Sequence, residues 1–253
     1  MCRVLRAFSP QRSPKIKLQS DVGTSDAVYA SNAENSQSAM PFDIDVAFAR
    51  LTSFMPGYPR AAMFQLAEEG YRSPFEQLVS CMISIRTYDE VSLPVSRRLF
   101  ARANTPQAMS ELSVAEIEQL IAKSTYAERK AGQIWVIAQT IVQEHNGELP
   151  CDEAVMLGFK GIGPKCAHLA LGIACKQPYI SVDVHVHRVI NRWGYVETKT
   201  PEKTTKALED KLPKDYWVET NRLLMPFGKN VCKGQYPQCT SCPLVDMCPK
   251  IGL

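Results

Sequence analysis

Residues 158–168 read GFKGIGPKCAH, a stretch that leads from a bend directly into an apolar segment. Gly161 and Gly163 allow positive φ and leave the peptide groups open, so the bend can press against a ligand. Pro164 suits the first position of a helix, where its missing N–H is not needed. The pattern predicts two short helices joined by a tight turn, over about residues 152–175.

Lys165 is the anomaly in this stretch. A helix N-terminus already carries positive partial charge, so a lysine in its first turn is disfavoured. The same potential, together with burial, favours the neutral amine, which is the nucleophilic form. Amides exposed at such an N-terminus also bind phosphate oxygens. A plain glycine-rich turn between packed helices would show the same bend with no ligand.

A carboxylate follows in the segment ISVDVHVHRV. Asp183 precedes a helical stretch and can serve as its N-cap. It can alternatively accept the proton of Lys165 or offset positive charge on a sugar, although its own charge raises the lysine pKa. His185 and His187 point to different helix faces, so we interpret them and His168 as packing or surface residues rather than metal ligands.

The composition is that of an ordinary soluble protein. The chain has 253 residues, 45% hydrophobic and 22% charged, which suffices for a substantial core. Neither an apolar run of membrane-spanning length nor an apolar signal segment is present, so we expect no membrane association.

Charge divides the chain into two parts of opposite sign. Residues 160–253 hold 14 Lys and Arg against 8 Asp and Glu, whereas the remainder holds 15 against 18. A basic C-terminal part fits a polyanion such as nucleic acid, or else it is simply a solvated basic face.

Nine cysteines without a secretory signal indicate a reducing compartment and metal or cluster chemistry rather than a disulfide framework. Cys151, Cys166 and Cys175 sit in or beside apolar stretches, where a free cysteine acts as a small hydrophobe. The last four have the spacing C-x6-C-x2-C-x5-C, which favours one iron–sulfur cluster, with zinc as the competing occupant. These four are Cys232, Cys239, Cys242 and Cys248.

Helix signals recur from residue 41 onward and strand signals do not, so we predict an all-α fold of about ten short helices in two lobes. Ser73–Glu76 and Ser113–Glu116 read as capping boxes. Apolar residues repeat at helical spacing over 134–142 until Asn146-Gly147. Residues 1–40 show no period, which is typical of a disordered tail or a transit peptide. Further helix starts are predicted near Thr105, Asp152, Asp183, Thr200 and Asp215.

Three features together resemble one protein family. GIGPK, the VDVHVHRV segment and the four-cysteine tail occur in this order in the endonuclease III family of DNA glycosylases. SPFEQLVSCMIS and QEHNGELP also look like that family, and the resemblance covers residues 41 to about 250.

The resemblance implies two helical lobes with DNA in the cleft between them. Residues 68–180 would form a six-helix barrel that contains a helix-hairpin-helix motif at about 152–175. Residues 41–67 together with 181–253 would form the other lobe, in which the four cysteines hold a structural 4Fe-4S cluster.

It also implies a chemistry. Lys165 would attack C1′ of a damaged nucleotide, expel the base and form a Schiff base, after which β-elimination cuts the strand. Asp183 would assist lysine deprotonation. Lys160 and the amides around Gly161, Ile162 and Gly163 would hold a DNA phosphate.

We therefore predict a bifunctional glycosylase and abasic-site lyase that acts as a monomer on double-stranded DNA with a damaged base, oxidised pyrimidines first. We expect it in the cytoplasm with the bacterial nucleoid, or in an organelle or nucleus if the source is eukaryotic. A damage-binding protein of the same fold with weak or no excision is the alternative.

The chain departs from the family pattern around the cleft. Arg86 replaces a glutamine that fills the gap left by the flipped base, and Thr125 replaces a bulky aliphatic wedge. The cysteine loop has Lys233 as its one cation between the first two cysteines, and Phe159-Lys160 replaces Leu-Pro. We expect these changes to alter base selectivity and leave the lyase chemistry intact.

Overall fold

The computed structural model describes residues 42–253, and the predicted tail over residues 1–40 lies outside them. The described chain is helical and contains no strand, which confirms the all-α prediction. None of its helices is long and apolar enough to cross a membrane. Three 3₁₀ turns, Met55–Gly57, Lys214–Tyr216 and Cys239–Ser241, accompany twelve helices. The helices are α1 (Ile44–Phe54), α2 (Ala62–Glu68), α3 (Pro74–Ser84), α4 (Asp89–Arg102), α5 (Pro106–Ser110), α6 (Val114–Ile121), α7 (Ala127–Glu144), α8 (Glu153–Gly158), α9 (Pro164–Ala174), α10 (Val184–Arg192), α11 (Pro201–Lys211) and α12 (Trp217–Asn230).

Most helices begin where the sequence predicts. Ser73 and Ser113 each form a complete capping box with the glutamate three residues later. Side chains of the predicted caps Thr105, Asp152, Asp183 and Thr200 also accept backbone N–H groups of the first helical turn. Near Asp215 the helix begins two residues late, because a 3₁₀ turn intervenes and Tyr216 provides no side-chain cap.

Two hydrophobic clusters form the core. The first is built from α2 to α9 and extends from Met63 to Ile173. The second combines α1 with α10, α12 and the C-terminal loop, and includes Trp193, Phe227 and Leu244. The chain passes from the second cluster to the first between Ala61 and Met63, and it returns between Tyr179 and Ile180. On this basis we propose that each cluster is the centre of one lobe.

Cys151 and Cys175 correct one expectation from the sequence. They form a disulfide with 5.8 Å between their Cα atoms, rather than packing as separate hydrophobic residues. Cys151 immediately precedes the cap of α8 and Cys175 ends α9, so the fold brings the two ends of the hairpin together. The expected cellular compartment predicts whether cysteines are reduced or oxidised in general. It does not show that the fold places two particular thiols side by side.

We expect this bond to stabilise the oxidised protein. A 24-residue separation corresponds to roughly 3 kcal/mol of lost chain entropy in the unfolded state. Thermal unfolding with and without dithiothreitol measures this contribution. Cys151→Ser should melt at a lower temperature than the oxidised wild type and lose sensitivity to the reductant. An equal Tm for the wild type under both conditions would contradict a stabilising disulfide.

Candidate active site

The hairpin has the predicted positive φ at Gly161 but not at Gly163. Gly161 has φ +94°, a conformation that side chains rarely adopt, and a Cβ there would lie 2.4 Å from Gln133 Nε2. Gly163 has φ −114° with open space around it. Gly161 is therefore required by the backbone, whereas Gly163 leaves the surface open.

Three amides at the bend are free to bind a ligand. Ile162 N–H is used inside the turn, since it donates to Phe159 O at 3.1 Å, and the Ile162 side chain is buried. Within residues 42–253, the amides of Gly161, Gly163 and Lys165 donate no hydrogen bond. A phosphate at the predicted site would therefore contact the amides of Gly161, Gly163 and Lys165, and not the amide of Ile162. Lys160, beside them, is exposed.

Lys165 and Asp183 line one cleft of about 650 Å³. Lys165 is the second residue of α9, and Asp183 caps the N-terminus of α10. Asp183 Oδ1 accepts from His185 N and Val186 N, each at 2.9 Å, which leaves Oδ2 for other contacts. The cleft is bordered by residues of both hydrophobic clusters, so it lies between the two proposed lobes.

The electrostatics of Lys165 differ from the sequence expectation. Loss of hydration in the cleft lowers the lysine pKa, but acidic neighbours outweigh this effect and raise the pKa on balance. The neighbours are Cys81, Asp183, Cys166 and Asp89, in decreasing order of effect. Burial and the helix N-terminus therefore do not lower the pKa of Lys165 on balance, whereas the expected opposing effect of the Asp183 charge is present. Lys165 is protonated at rest, and a nearby proton acceptor becomes a requirement for nucleophilic attack.

Asp89 and Lys229 belong to the same cleft and were not singled out by sequence. Burial raises the pKa of Asp89, which begins α4. Lys229 Nζ lies 3.7 Å from Asp89 Oδ2 and donates to Glu90 Oε1 at 2.7 Å. The pair joins α4 to α12 across the cleft, and because 140 residues separate the partners, no local pattern reveals it.

The three histidines pack within the protein. His168 lies between Ile180 O at 3.0 Å and Glu153 Oε1 at 2.7 Å. His185 contacts Arg188, and His187 contacts Thr204 Oγ1 at 2.6 Å. Each histidine thus has a partner that orients it.

The four C-terminal cysteines line a common small pocket, and each is half-buried and unpaired by any disulfide. Tight turns fix their backbone, with Cys242 N donating to Cys239 O and Cys248 N to Leu244 O. Burial raises the pKa of Cys242 to about 11 and also raises that of Cys248. Thiolates here need a compensating cation, which is the condition that a metal or cluster satisfies. Within residues 42–253, no group of three or more His, Cys, Asp or Glu side chains is arranged to hold a single metal ion.

Arg192 fastens this loop to α10. Its guanidinium is almost fully buried and donates to the carbonyl oxygens of Cys232, Lys233 and Gly234. Nη1 also lies 3.5 Å from Cys232 Sγ. Lys233 keeps an exposed side chain while its carbonyl serves this contact. The first part of the cysteine loop is therefore held in place by a buried side chain of α10.

Arg86 and Thr125 come together at the mouth of the cleft. Arg86 is exposed, with φ +54°, and lines the same cleft as Lys165. Thr125 is exposed too, and its Oγ1 donates to Arg86 O at 2.8 Å. The two departures from the family pattern are thus in direct contact.

The family is decided by comparison with known proteins. Residues 79–214 match the HhH-GPD superfamily of base excision DNA repair proteins. Endonuclease III of Thermotoga maritima is 37% identical over 175 residues, which cover 69% of this chain and 82% of that protein. The chain belongs to the endonuclease III family. Its predicted membership is thereby confirmed.

Other relatives agree. Endonuclease III of Escherichia coli K12 is 32% identical over 181 residues, covering 72% of this chain and 86% of the relative. Endonuclease III-like protein 1 of Gallus gallus is 36% identical, but the match spans 63% of that protein. A solved non-covalent endonuclease III–DNA complex matches with a TM-score of 0.71 and 29% identity, over 82% of this chain and 94% of that one.

The two hairpin glycines allow a matched test of the bend. Gly161→Ala should lower the free energy of unfolding by about 1–2 kcal/mol, because alanine is strained at positive φ and meets Gln133. Gly163→Ala should leave unfolding nearly unchanged. Urea unfolding of both variants measures the difference, and equal destabilisation would contradict the assignment of the strained position.

Proposed function

We propose that this endonuclease III family member is a bifunctional DNA glycosylase and abasic-site lyase in which Lys165 is the nucleophile and Asp183 its proton acceptor. The observation that carries the proposal is their placement at two helix N-termini in one cleft. An amine and a carboxylate at such a site suit attack on a sugar carbon and the proton transfers that attack requires.

The chemistry follows from the charge state of Lys165. The resting ammonium passes a proton towards Asp183, and the neutral amine attacks C1′ as the bond from C1′ to the base breaks. The departing base takes up the proton held by Asp183, and the sugar opens as Nζ loses a proton and O4′ gains one, which gives a Schiff base between C1′ and Nζ. Transfer of a C2′ proton to water then forms the C2′–C3′ double bond and breaks the bond from C3′ to the 3′ phosphate, which leaves as the anion. Asp183 also offsets positive charge on the sugar while the base departs.

The hairpin supplies the grip on the DNA backbone. The free amides of Gly161, Gly163 and Lys165 hold one phosphate, and the exposed Lys160 adds a second, non-specific contact. Such contacts set the register of the strand without reading its sequence. They therefore fix the distance from a backbone phosphate to the lysine that attacks the neighbouring sugar.

The substrate is duplex DNA with a damaged base or an abasic site, and oxidised pyrimidines are the primary lesion class. The solved relative is described as an endonuclease III–DNA complex. A cleft between the two proposed lobes, lined by the cations Arg86 and Lys165, suits a duplex from which one nucleotide is flipped into the enzyme. The protein acts as a monomer in the compartment that holds the DNA.

We assign a 4Fe-4S cluster to Cys232, Cys239, Cys242 and Cys248. The family is known for this cofactor, and the four half-buried thiols line one pocket. When bound, the cluster supplies four iron–thiolate bonds that close the loop covalently. Arg192 then holds the closed loop against α10, whose other end presents Asp183.

The nucleophile is tested by trapping. Incubation of the wild type with an abasic duplex and sodium borohydride should give a covalent adduct, because reduction makes the Schiff base permanent. Lys165→Gln should give none, and Lys160→Gln should keep the adduct at reduced affinity. A wild type that binds the duplex without an adduct would support a damage-binding protein and reject the lyase.

The proposed role of Asp183 as a proton acceptor can be tested separately from its role as the N-cap of α10. Asp183→Asn retains an oxygen that can cap α10 but removes the proton acceptor, so single-turnover cleavage should slow by about 100-fold or more. The Tm should change little. A rate close to that of the wild type would leave Asp183 with its capping role alone.

Visible absorbance tests the cluster. Protein purified without oxygen should be brown, and Cys239→Ser should lose the colour, whereas Cys151→Ser, outside the loop, should retain it. A colourless wild type with one bound zinc would overturn the cluster assignment.

A further inference from the structure

Two buried cysteines lie side by side next to the proposed nucleophile. Cys81 stands in the C-terminal half of α3 and is fully buried, and Cys166, which follows Lys165 in α9, is 3% exposed. Their Sγ atoms lie 2.6 Å apart, about 0.5 Å more than the length of an S–S bond. Because 85 residues separate the two positions in the chain, the packing of α3 on α9 brings these thiols together.

The other cysteines of residues 42–253 already have an assignment. Cys151 and Cys175 are bonded to each other, and the last four line the pocket to which we assign the cluster. Cys81 and Cys166 are the two thiols in this part of the chain that neither assignment uses. A single buried cysteine fills space as a small apolar side chain, whereas two in contact can be oxidised to a disulfide.

The pair lies directly beneath the active cleft. Ser84, which lines the cleft, donates its hydroxyl to Cys81 O at 2.7 Å. Lys165 and Leu169 also line the cleft, and Cys166 stands between them in the sequence of α9. A small polar molecule that enters the cleft therefore has a short path to the thiols, and DNA bound in the cleft would block that path.

The hydrogen bond between the thiols determines which of them ionises. It lowers the pKa of Cys81, which burial opposes and the positive charge of Lys165 reinforces. The same hydrogen bond and burial raise the pKa of Cys166, which therefore keeps its proton. Cys81 is in turn the largest of the acidic contributions that raise the pKa of Lys165. A thiolate at Cys81 thus faces the Lys165 ammonium, and the thiolate is the form of cysteine that peroxides oxidise.

We propose that Cys81 and Cys166 are an oxidative modification site, at which a hydroperoxide converts the two thiols into a disulfide and so removes the negative charge that faces Lys165. The oxidation itself follows from the geometry of the thiols, whereas its effect on catalysis rests on the proposed function. Hydrogen peroxide is the smallest oxidant of this class, and it suits a pair that is reached through a cleft.

The reaction balances with one peroxide for each disulfide. The Cys81 thiolate attacks one oxygen of hydrogen peroxide, the O–O bond breaks, and the departing hydroxide takes the proton that Cys81 had released, which gives water and a sulfenic acid. Cys166 then loses its proton and its Sγ attacks Cys81 Sγ, so the S–O bond breaks and hydroxide leaves with that proton as a second water. The two thiols have lost two electrons and two protons, and a dithiol reductant restores them.

The charged groups around the pair come from several elements. Cys81 faces Lys165 from α3, Asp183 faces it from the cap of α10, and Asp89 faces it from α4. Lys130 of α7 acts on the pair as well, and its Nζ donates to carbonyl oxygens at the end of α3 at 2.7 and 2.9 Å. The disulfide removes the charge of Cys81 and leaves the other groups in place.

This change has a defined direction for the nucleophile. Loss of a nearby negative charge lowers the pKa of an ammonium group. The oxidised enzyme therefore holds a larger fraction of neutral Lys165 amine at a given pH than the reduced enzyme does. Because the neutral amine is the attacking form, formation of the Schiff base should extend to lower pH after oxidation.

Mass spectrometry tests the disulfide directly. Protein reduced with dithiothreitol is freed of the reductant, treated with hydrogen peroxide, alkylated with iodoacetamide in urea and digested. The peptides of Cys81 and Cys166 should be cross-linked in the wild type and unlinked in Cys166→Ser. The Cys151–Cys175 bond should form in both proteins and shows that oxidation took place. Excess duplex with a reduced, uncleavable abasic site should slow the first cross-link and leave the second unchanged.

The effect on Lys165 is measured by trapping on an abasic duplex over a range of pH, with sodium cyanoborohydride because it withstands lower pH than borohydride. Oxidised wild type should reach half of its maximal rate at a pH about one unit lower than reduced wild type. Cys166→Ser should keep its own profile after peroxide, because no disulfide can form. Cys81→Ser, which lacks the thiolate, should show the lower value without peroxide. Visible absorbance checks that the treatment leaves the cluster in place.

Absence of the Cys81–Cys166 cross-link in a sample that contains the Cys151–Cys175 bond would overturn the modification site. A cross-link with an unchanged pH profile would overturn its effect on Lys165. Absence of the adduct in reduced wild type at every pH would instead refute the proposed function, and mass spectrometry would still decide the modification site. Circular dichroism identifies any variant that fails to fold, and in that case the wild type before and after peroxide decides the proposal.

Discussion

The active-site geometry depends on the burial of α9. From Cys166 to Ile173 this helix lies inside the first hydrophobic cluster, and α3 is its main neighbour. A helix packed on most sides cannot slide or rotate without exposing apolar surface. The burial that stabilises the first hydrophobic cluster therefore also fixes the position of the first turn of α9, which contains Lys165.

The second hydrophobic cluster positions Asp183 in a comparable way. Asp183 and Arg192 stand at opposite ends of α10, a nine-residue helix that packs on α12. A helix of that length spans about 14 Å, so a buried arginine at one end and a carboxylate at the other are held at a fixed separation. The cysteine loop and the active cleft are consequently two ends of one rigid element.

Local sequence predicted much of this, because its signals are local. Capping pairs such as Ser73–Glu76 are three residues apart, and the family motif around Lys165 is contiguous. The contacts that sequence missed join distant segments: Lys130 reaches back more than 40 residues and Cys151 bonds to Cys175. The effect of Asp183 on the pKa of Lys165 was expected from the sequence, but the contributions of Cys81 and Asp89 were not, because the fold brings them in from α3 and α4.

The closed base of the hairpin has a consequence for protein engineering. Residues 152–174 lie between Cys151 and Cys175, whose Cα atoms are 5.8 Å apart. A segment with adjacent ends can be inserted into another host, but because α9 is buried against α3, the host must also present an apolar surface in place of α3. The proposed nucleophile and the amides proposed to bind phosphate lie together in this segment, and a host with such a surface would receive both in one insertion.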